Sequence, residues 1–272
     1  MKIALVQQPA TEDRAANRAR GLEAVRSAAR QGAQVIAFAE LAFERFLPQD
    51  PATEQKLLLA EPIPGPTTEL FAPLAAELGV VIVLNLFERD GETTYDSSPV
   101  IDADGSLLGV TRMVHITDYP CFHEQSYYAP GDRGAPVYDT AHGTLGVAIC
   151  YDRHYPEYMR ALALAGAEVI FVPQAGAADE FPEGLFEAEL RVAAFQNGVF
   201  TALCNRVGPE PRLTFAGESF VSDPSGVVIA RAGSGTEEVL VCDCDPELVR
   251  GSHARKLFLR DRRPELYAEW LT

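Results

Sequence analysis

Short apolar segments alternate with segments of helical periodicity along the first third of the chain. Residues 2–7, 35–40 and 80–88 are apolar runs of the length that buried strands have. Residues 13–31 and 67–78 carry apolar side chains at helical spacing, and each segment is followed by a glycine, which commonly ends a helix. This order predicts strands connected by helices.

The middle and the end of the chain add hairpins to this pattern. The turn sequences RDGE and DADG separate short strands, one of which is predicted over residues 107–116. Residues 143–150 and 167–173 are further buried strands, and residues 156–165 and 182–197 are predicted helices. Together these elements predict an α/β fold with mixed sheets. No linker-like segment divides the sequence, so a single domain is expected over residues 1–272.

Composition and charge narrow the class of protein. Hydrophobic residues make up 47% of the chain, enough for a large core, and no apolar run approaches the roughly 18 residues of a membrane helix. The formal charge of −16 disfavours binding to nucleic acids and to anionic membranes. The five cysteines are an odd, scattered set, which is more typical of reduced thiols than of a secreted disulfide framework. We therefore expect a cytoplasmic protein without a nucleic-acid or membrane partner.

Cys150 is the first candidate for chemistry. It ends an apolar strand and precedes a short segment that leads to Pro156, a residue type favoured in the first turn of a helix. A thiol at such a junction lies where a main-chain N–H and a helix N-terminus stabilise negative charge, which suits a nucleophile. The alternative is an ordinary core cysteine, since cysteine is among the most buried residue types.

Two glutamates are candidates for acid–base chemistry. Glu40 ends an otherwise apolar strand, where a buried carboxylate is costly unless it is paired or takes part in chemistry. Beside a thiol it would act as a general base whose pKa burial raises. The alternative is a carboxylate at the solvent end of the strand. Glu124 lies in an aromatic-rich loop, where a solvent-facing carboxylate is the simpler interpretation.

The sequence lacks the usual signals for metals and cofactors. His115, His123 and His154 have no metal-binding spacing, and the single Cys-x-Cys pair at Cys242 and Cys244 is not a zinc site. The glycine-rich motifs of nucleotide-binding proteins and the GxSxG motif of serine hydrolases do not occur. We therefore expect no metal and no cofactor.

Taken together and in order, these segments resemble the nitrilase superfamily, the carbon–nitrogen hydrolases. VIAFAEL resembles the segment with the family's first glutamate, here Glu40, and HEQSYYAPGD resembles the loop with its second glutamate, here Glu124. GVAICYDRHYPE resembles the nucleophile segment, with Cys150 as the cysteine, and residues 205–226 resemble a late family signature. The likeness extends over nearly the whole chain.

The resemblance implies an αββα sandwich of two mixed sheets flanked by helices, assembled as a homodimer or a higher homo-oligomer. It implies hydrolysis of a non-peptide C–N bond in a small-molecule amide, carbamoyl compound or nitrile, without a metal or cofactor. Cys150 would form a thioester, and Glu40 would take the thiol proton, pass it to the leaving amine and activate water. Glu124 would orient the substrate, and the main-chain N–H of Tyr151 would support the oxyanion.

One position departs from the family pattern. The family's catalytic lysine stands two residues before a histidine, and Met113 occupies that place before His115. The sequence has only three lysines, none in a matching segment: Lys2, Lys56 and Lys256. Losing one oxyanion donor costs roughly 10²–10³ in rate, and losing the positive charge raises the pKa of a thiol beside two carboxylates.

Three interpretations of Met113 follow. In the first, the enzyme is active with a substitute cation, which His115 would supply from the same face of an extended strand, or Arg112 if a bulge turned it inward. In the second, the protein is a catalytically weak or inactive relative that binds a small molecule or a partner. In the third, the methionine is an engineered replacement of a lysine. Persistence of the thiol and both glutamates favours an active enzyme.

Overall fold

The computed structural model describes residues 1–270, and its elements follow the alternation expected from the sequence. The strands are β1 (Lys2–Gln7), β2 (Val35–Phe38), β3 (Val81–Val83), β4 (Leu86–Asp90), β5 (Thr93–Ile101), β6 (Leu107–Arg112), β7 (Val137–Thr140), β8 (Gly143–Val147), β9 (Val169–Gln174), β10 (Phe200–Asn205), β11 (Val207–Pro209), β12 (Thr214–Ala216), β13 (Phe220–Ser222), β14 (Val228–Arg231) and β15 (Glu238–Asp243). The helices are α1 (Arg14–Arg30), α2 (Glu54–Leu57), α3 (Pro66–Leu78), α4 (Pro156–Leu164), α5 (Leu185–Asn197), α6 (Pro246–Gly251) and α7 (Pro264–Trp270). Within this described part of the chain, no helix is both long and apolar enough to cross a membrane.

Two mixed sheets form the centre of the fold. The first has the strand order β15–β1–β2–β3–β5–β4, with β6 paired to β5, and the second has the order β14–β13–β10–β9–β8–β7. Neighbours are parallel along β1–β2–β3 in the first sheet and along β8–β9–β10 in the second. The remaining pairs, among them the predicted hairpins, are antiparallel. The predicted α/β fold with mixed sheets is therefore confirmed.

Alternation along the strands divides the core into layers. In β1, Ile3 and Leu5 join an apolar cluster with Phe171 of the second sheet, whereas Ala4 and Val6 face the helical side. Helices α1 and α3 cover the outer face of the first sheet, and α4 and α5 cover that of the second. The central strands are buried on both faces, so their sequences are continuous apolar runs. The layers follow the order helix, sheet, sheet, helix.

Helix α1 shows how closely the outer layer fits the first sheet. Asp13 caps the helix by accepting a hydrogen bond of 3.0 Å from the N–H three residues further on. At Gly21 the helix approaches an aromatic wall, and a Cβ atom there would lie 2.7 Å from a ring carbon of Phe43. Phe43 in turn packs on Phe38 and Phe71 at ring-centroid distances of 5.0 and 5.1 Å, so it has little room to move.

The ends of three strands deliver the candidate residues. Glu40 follows the end of β2 by two residues, Cys150 follows the end of β8 by three, and Met113 follows β6 directly. The first two strands belong to different sheets that face each other across the central cluster. The site residues can therefore meet although 110 positions separate Glu40 from Cys150 in the sequence.

The segment after β6 differs from the prediction. The strand expected over residues 107–116 ends at Arg112. The N–H groups of Val114 and His115 donate to Oδ1 of Asp152, at 3.1 and 3.0 Å, instead of continuing a ladder. A buried carboxylate thus replaces the neighbouring strand as the hydrogen-bond acceptor and ends the strand early.

Gly21→Ala is expected to destabilise the protein by about 1–2 kcal/mol, because overpacking outweighs the gain that alanine brings to a helix interior. Gly251→Ala in α6 is the matched control, since nothing lies within 4 Å of its added Cβ. It should be neutral or slightly stabilising. Urea denaturation followed by circular dichroism measures both variants. A Gly21→Ala midpoint equal to that of the unsubstituted protein would contradict the close packing of α1.

Candidate active site

Glu40, Glu124 and Cys150 come together beyond the ends of β2 and β8. The Cys150 sulfur and one carboxylate oxygen of each glutamate lie within 4.8 Å of one another. Both glutamates are 0% exposed, and Cys150 is 5% exposed. The alternative placement of either glutamate at the surface is therefore wrong. The arrangement joins a thiol to two carboxylates away from water.

Cys150 occupies a strained backbone position at the start of a 3-10 turn. Its φ of 44° lies in the left-handed region that residues with a Cβ atom seldom adopt. Arg153 fixes the turn by donating from Nη1 to the Cys150 carbonyl and to Oε1 of Gln174, at 2.8 Å each. Tyr151 follows in the same turn. Its N–H as an oxyanion donor stays a prediction.

Glu40 is held through its main chain, which leaves its carboxylate uncommitted. Arg206 donates from Nη1 to the Glu40 carbonyl at 2.8 Å and also to the Leu41 carbonyl. The Leu41 N–H donates to Oδ1 of Asn85 at 2.7 Å. Across residues 1–270, no N–H group donates to either carboxylate oxygen of Glu40, whose hydrogen bonds are with the acidic groups of the site, the Cys150 thiol first. A buried carboxylate with free oxygens beside a thiol can accept the thiol proton once substrate tightens the geometry.

Burial and mutual repulsion favour the protonated forms of these groups. Burial is the main cause that raises the pKa of Glu40 to about 8, and the Glu124 carboxylate adds to the effect. The pKa of the Cys150 thiol is raised well above its usual range, by burial first and then by Glu40 and Glu124. Burial also raises the pKa of Glu124 well above its usual range. Near neutral pH the cluster holds its protons until a nearby positive charge lowers these pKa values.

A further buried acid, Asp96, belongs to this cluster and is missing from the candidates found in the sequence. It lies in β5, is 0% exposed and accepts a hydrogen bond of 2.6 Å on Oδ1 from Nδ2 of Asn85. Burial raises the pKa of Asp96 well above its usual range, and the Glu40 carboxylate raises it further. In the sequence Asp96 is a single aspartate between the RDGE and DADG turns, and a further turn would explain it equally well.

Met113 contributes apolar contact and no charge at this place. Its side chain is 0% exposed and lies in the same apolar cluster as Cys150. Its N–H donates to the Asp96 carbonyl at 2.9 Å, so the two residues are neighbours on adjacent strands. The position is therefore beside the acidic cluster, where a cation would interact with several groups.

Both predicted substitutes for a lysine are engaged by other partners. Nδ1 of His115 lies 2.7 Å from Oδ1 of Asp152, and its ring stacks on Tyr155 with 3.5 Å between centroids. The Arg112 guanidinium donates to both carboxylate oxygens of Glu88 and to two further aspartates. These contacts argue against either residue as the replacement cation, because each would have to abandon a buried carboxylate.

Aromatic residues from the surrounding loops and from β4 and β12 form a wall beside the acids. They are buried in one apolar cluster that contains Phe46, Phe87, Phe122, Tyr127, Tyr128 and Phe215. Tyr128 connects the wall to the site, since burial raises the pKa of its hydroxyl and the Asp96, Glu40 and Glu124 carboxylates add to the effect. The acids thus lie in apolar surroundings, which strengthens every electrostatic interaction among them.

The same three donor atoms are also of a type and spacing that a divalent metal ion accepts. Metal ligands must be deprotonated to bind. Burial instead raises the pKa of Glu40, Glu124 and Cys150, so their protons are retained near neutral pH. Protons retained on these groups therefore oppose metal binding and thiolate formation alike, in the absence of a nearby positive charge.

Comparison with known proteins provides independent evidence. The family model described as carbon–nitrogen hydrolase matches residues 2–254. An N-carbamoylputrescine amidase from Solanum lycopersicum is 38% identical, over 99% of this chain and 94% of its own length. A citrullinase from Francisella tularensis is 33% identical, over 99% of this chain and 97% of its own length.

Solved structures show the same likeness. A carbon–nitrogen hydrolase from Helicobacter pylori G27 has a TM-score of 0.93 and 30% identity, with 100% of this chain and 98% of that chain covered. An amidase from Nesterenkonia sp. AN1 has a TM-score of 0.83 and 27% identity, with 99% of each chain covered. In a mutant of that amidase, acrylamide is bound by Michael addition to the active-site cysteine.

Stability is expected to fall as pH rises from about 5 to about 8. Glu40 binds its proton more tightly in the folded chain, with a pKa of about 8, than at its ordinary value of 4.5. The folded state therefore holds more protons between these values, and rising pH favours unfolding. Glu40→Gln removes this titration. Its free energy of unfolding should therefore exceed that of the unsubstituted protein by on the order of a few kcal/mol at pH 8 and by little at pH 5.

Urea denaturation at pH 5, 6, 7 and 8 measures the effect. Glu44→Gln is the matched control, because burial raises the pKa of Glu44 to about 7. Its gain should therefore level off near pH 7, one unit below that of Glu40→Gln. If the free energies of unfolding of Glu40→Gln and the unsubstituted protein differ by a constant amount from pH 5 to pH 8, the raised pKa of Glu40 is contradicted.

A positive charge at position 113 is expected to accelerate alkylation of Cys150. In Met113→Lys the ammonium would lower the pKa of the thiol, so iodoacetamide should modify Cys150 several-fold faster at pH 7. Leu108→Lys places the same charge at a 38% exposed position of the same strand and should have no effect. Peptide mass spectrometry resolves Cys150 from the other cysteines. Equal rates in the two variants would show that position 113 does not act on the thiol.

Proposed function

The chain belongs to the carbon–nitrogen hydrolase family, and we propose that Cys150 is the nucleophile with which it hydrolyses its substrate. Membership makes it a hydrolase of non-peptide C–N bonds. The observation that carries the assignment of residues is the approach of the Cys150 thiol and the Glu40 and Glu124 carboxylates within 4.8 Å in a buried site. The amidase and citrullinase relatives support an amide or carbamoyl compound as the substrate class.

The proposed reaction has two halves that share one base. Glu40 takes the thiol proton as the Cys150 sulfur bonds to the substrate carbon, and it then gives this proton to the leaving nitrogen. The thioester that remains is attacked by water, from which Glu40 takes a proton. The proton returns to the sulfur as the product leaves. Glu124 orients the substrate, and the N–H of Tyr151 stabilises the developing oxyanion.

Met113 is proposed to stand where the family's lysine stands. Its burial in the same apolar cluster as Cys150 and the hydrogen bond from its N–H to the Asp96 carbonyl support this correspondence. Methionine retains the apolar stem of a lysine without the charge, so packing is preserved. A neutral amide would lose roughly 10²–10³ in rate with the missing oxyanion donor. The enzyme is therefore proposed to act without a cation from this position.

The second candidate function is a catalytically weak or inactive relative that binds a small molecule. One observation favours it: the pKa of the Cys150 thiol is raised well above its usual range, which leaves little thiolate near neutral pH. The persistence of both glutamates beside the thiol favours the enzyme instead.

The setting of the enzyme is also a proposal. One domain over residues 1–272 is supported by the central apolar cluster, which contains residues from Ile3 to Val249. A reduced, cytoplasmic environment is supported by the five cysteines, all of which are free. A homo-oligomer is supported by exposed apolar side chains on the outer helices α4 and α5, namely Leu164, Leu185, Val192 and Phe195. Such side chains favour contact with another protein surface.

Cys150→Ala is expected to reduce ammonia release at least roughly 10³-fold, because removing the nucleophile blocks the covalent route. The assay measures ammonia from a panel of N-carbamoyl amines, ureido acids and aliphatic amides. Cys204→Ala is the control, since Cys204 is also buried in the same apolar cluster and is not one of the proposed catalytic groups. Ammonia release that is unchanged in Cys150→Ala would contradict the assignment. Binding without turnover would support the second candidate.

A further inference from the structure

The protein supplies too few positive partners for the buried acids around Cys150. In the part of the chain that the structure describes, four buried carboxylate oxygens receive no hydrogen bond from an N–H group: both of Glu40, Oε1 of Glu124 and Oδ2 of Asp96. Glu40 instead shares hydrogen bonds with the Cys150 thiol and the Asp96 carboxyl. All three residues are 0% exposed. The hydroxyl of Tyr128 is likewise buried without a partner, but it is a neutral donor. A buried carboxylate needs either a proton or a positive partner.

The guanidinium groups that reach this region are committed to other atoms. Arg153 and Arg206 donate to the main-chain carbonyls of the nucleophile and of the general base. Nε of Arg153 lies 3.2 Å from Oε2 of Glu189, and Nη2 of Arg206 donates to Oε1 of Glu210. Each guanidinium therefore has a carboxylate of its own. They fix the backbone of the site, and although Arg206 lowers the pKa of Glu40 and Arg153 that of Cys150, burial outweighs both effects.

The neighbouring residues Asp96 and Met113 add to the excess of acidic over cationic groups in the site. Ser97 pairs with Arg112 between β5 and β6, so the next residues on these strands, Asp96 and Met113, lie side by side. Their main chains are joined by the hydrogen bond from the Met113 N–H to the Asp96 carbonyl. At this point one strand presents an acid and the other an uncharged thioether. The site is therefore built to receive a positive charge from outside the protein.

Resting on the proposed function, we propose that the substrate brings this charge on its reacting carbon, as the amidinium group of an amidine or a guanidine. A planar amidinium presents N–H donors in the fork geometry that carboxylates bind best. Its N–H groups would donate to carboxylate oxygens that receive no N–H donor from the protein. The substrate cation would also lower the pKa of Glu40, so the base becomes available when the substrate is bound.

The reaction balances with water as the only co-substrate. Glu40 takes the thiol proton as the Cys150 sulfur bonds to the amidinium carbon, which gives a neutral tetrahedral diamine. Glu40 returns the proton to one nitrogen, the C–N bond breaks, and ammonia leaves a thioimidate that is still cationic. Water adds to this carbon and gives its proton to Glu40. The C–S bond then breaks, sulfur takes up the proton from Glu40, and the released protonated amide passes its proton to ammonia.

An amidinium also removes the need for the missing ammonium. Attack on a neutral amide develops negative charge on oxygen, which a lysine would stabilise. Attack on an amidinium instead neutralises a positive charge, so no oxyanion forms in the first step. A lysine at position 113 would repel such a substrate, whereas the apolar Met113 does not. The net change converts one amidinium and one water into a neutral amide and an ammonium ion.

Butyramidine and butyramide test this inference, since they share one carbon chain and differ in the charge of the reacting group. Cys150-dependent ammonia release should show a kcat/KM at least tenfold higher for butyramidine. Met113→Lys should reverse this preference, and Leu108→Lys, at an exposed position of the same strand, should retain it. Asp96→Asn keeps the side-chain shape and should reduce the preference for butyramidine several-fold.

The outcomes separate the inference from the proposed function. If butyramide is hydrolysed as fast as butyramidine in a Cys150-dependent reaction, the inference is wrong and the proposed function stands. If neither compound is hydrolysed, protection of Cys150 from iodoacetamide decides. Protection by butyramidine and not by butyramide supports recognition of the cation and favours a binding protein. Absence of both turnover and protection overturns the inference, and the carbamoyl panel then tests the proposed function by itself.

Discussion

Desolvation of several acids around one thiol is the constraint on which the rest of the site depends. Glu40, Glu124, Asp96 and Cys150 are removed from water by two sheets and an aromatic wall. Each would be an anion in water at high enough pH, and each of the three carboxylates raises the pKa of at least one other group in the cluster. These groups can be buried because they retain their protons. A bound substrate that changes their pKa values therefore changes their protonation.

The fold separates the positioning of the site from its chemistry. Arg153 donates to the main-chain carbonyl of Cys150 and Arg206 to that of Glu40, just beyond the ends of β8 and β2. Their guanidinium groups would otherwise be the obvious counter-ions for Glu40 and Glu124. Because they are used on the backbone, the carboxylate oxygens stay available for proton transfer. The two arginines lower the pKa values of Glu40 and Cys150 by less than burial raises them, so these groups stay protonated near neutral pH.

The proposed function gives roles to the thiol and the two glutamates, and it leaves the pair of Asp96 and Met113 to be explained. Within the family resemblance, a lysine is expected at the second position. The proposed replacement of this cation by the Met113 thioether, opposite an acid on β5, would change the charge that the site prefers to bind. A substrate that carries its own cation resolves this imbalance with no change in the nucleophile or the base.

Apolar runs and the residues at their ends are local signals. The sequence therefore predicted the alternation of strands and helices, the mixed sheets, and Glu40, Glu124 and Cys150 as candidate site residues. It did not reveal Asp96, because a single aspartate beside an apolar strand is equally typical of a turn. It also suggested His115 and Arg112 as substitute cations, and only the tertiary structure showed their buried carboxylate partners, Asp152 and Glu88. Such pairings join segments that are distant in the chain, so packing decided them and local pattern could not.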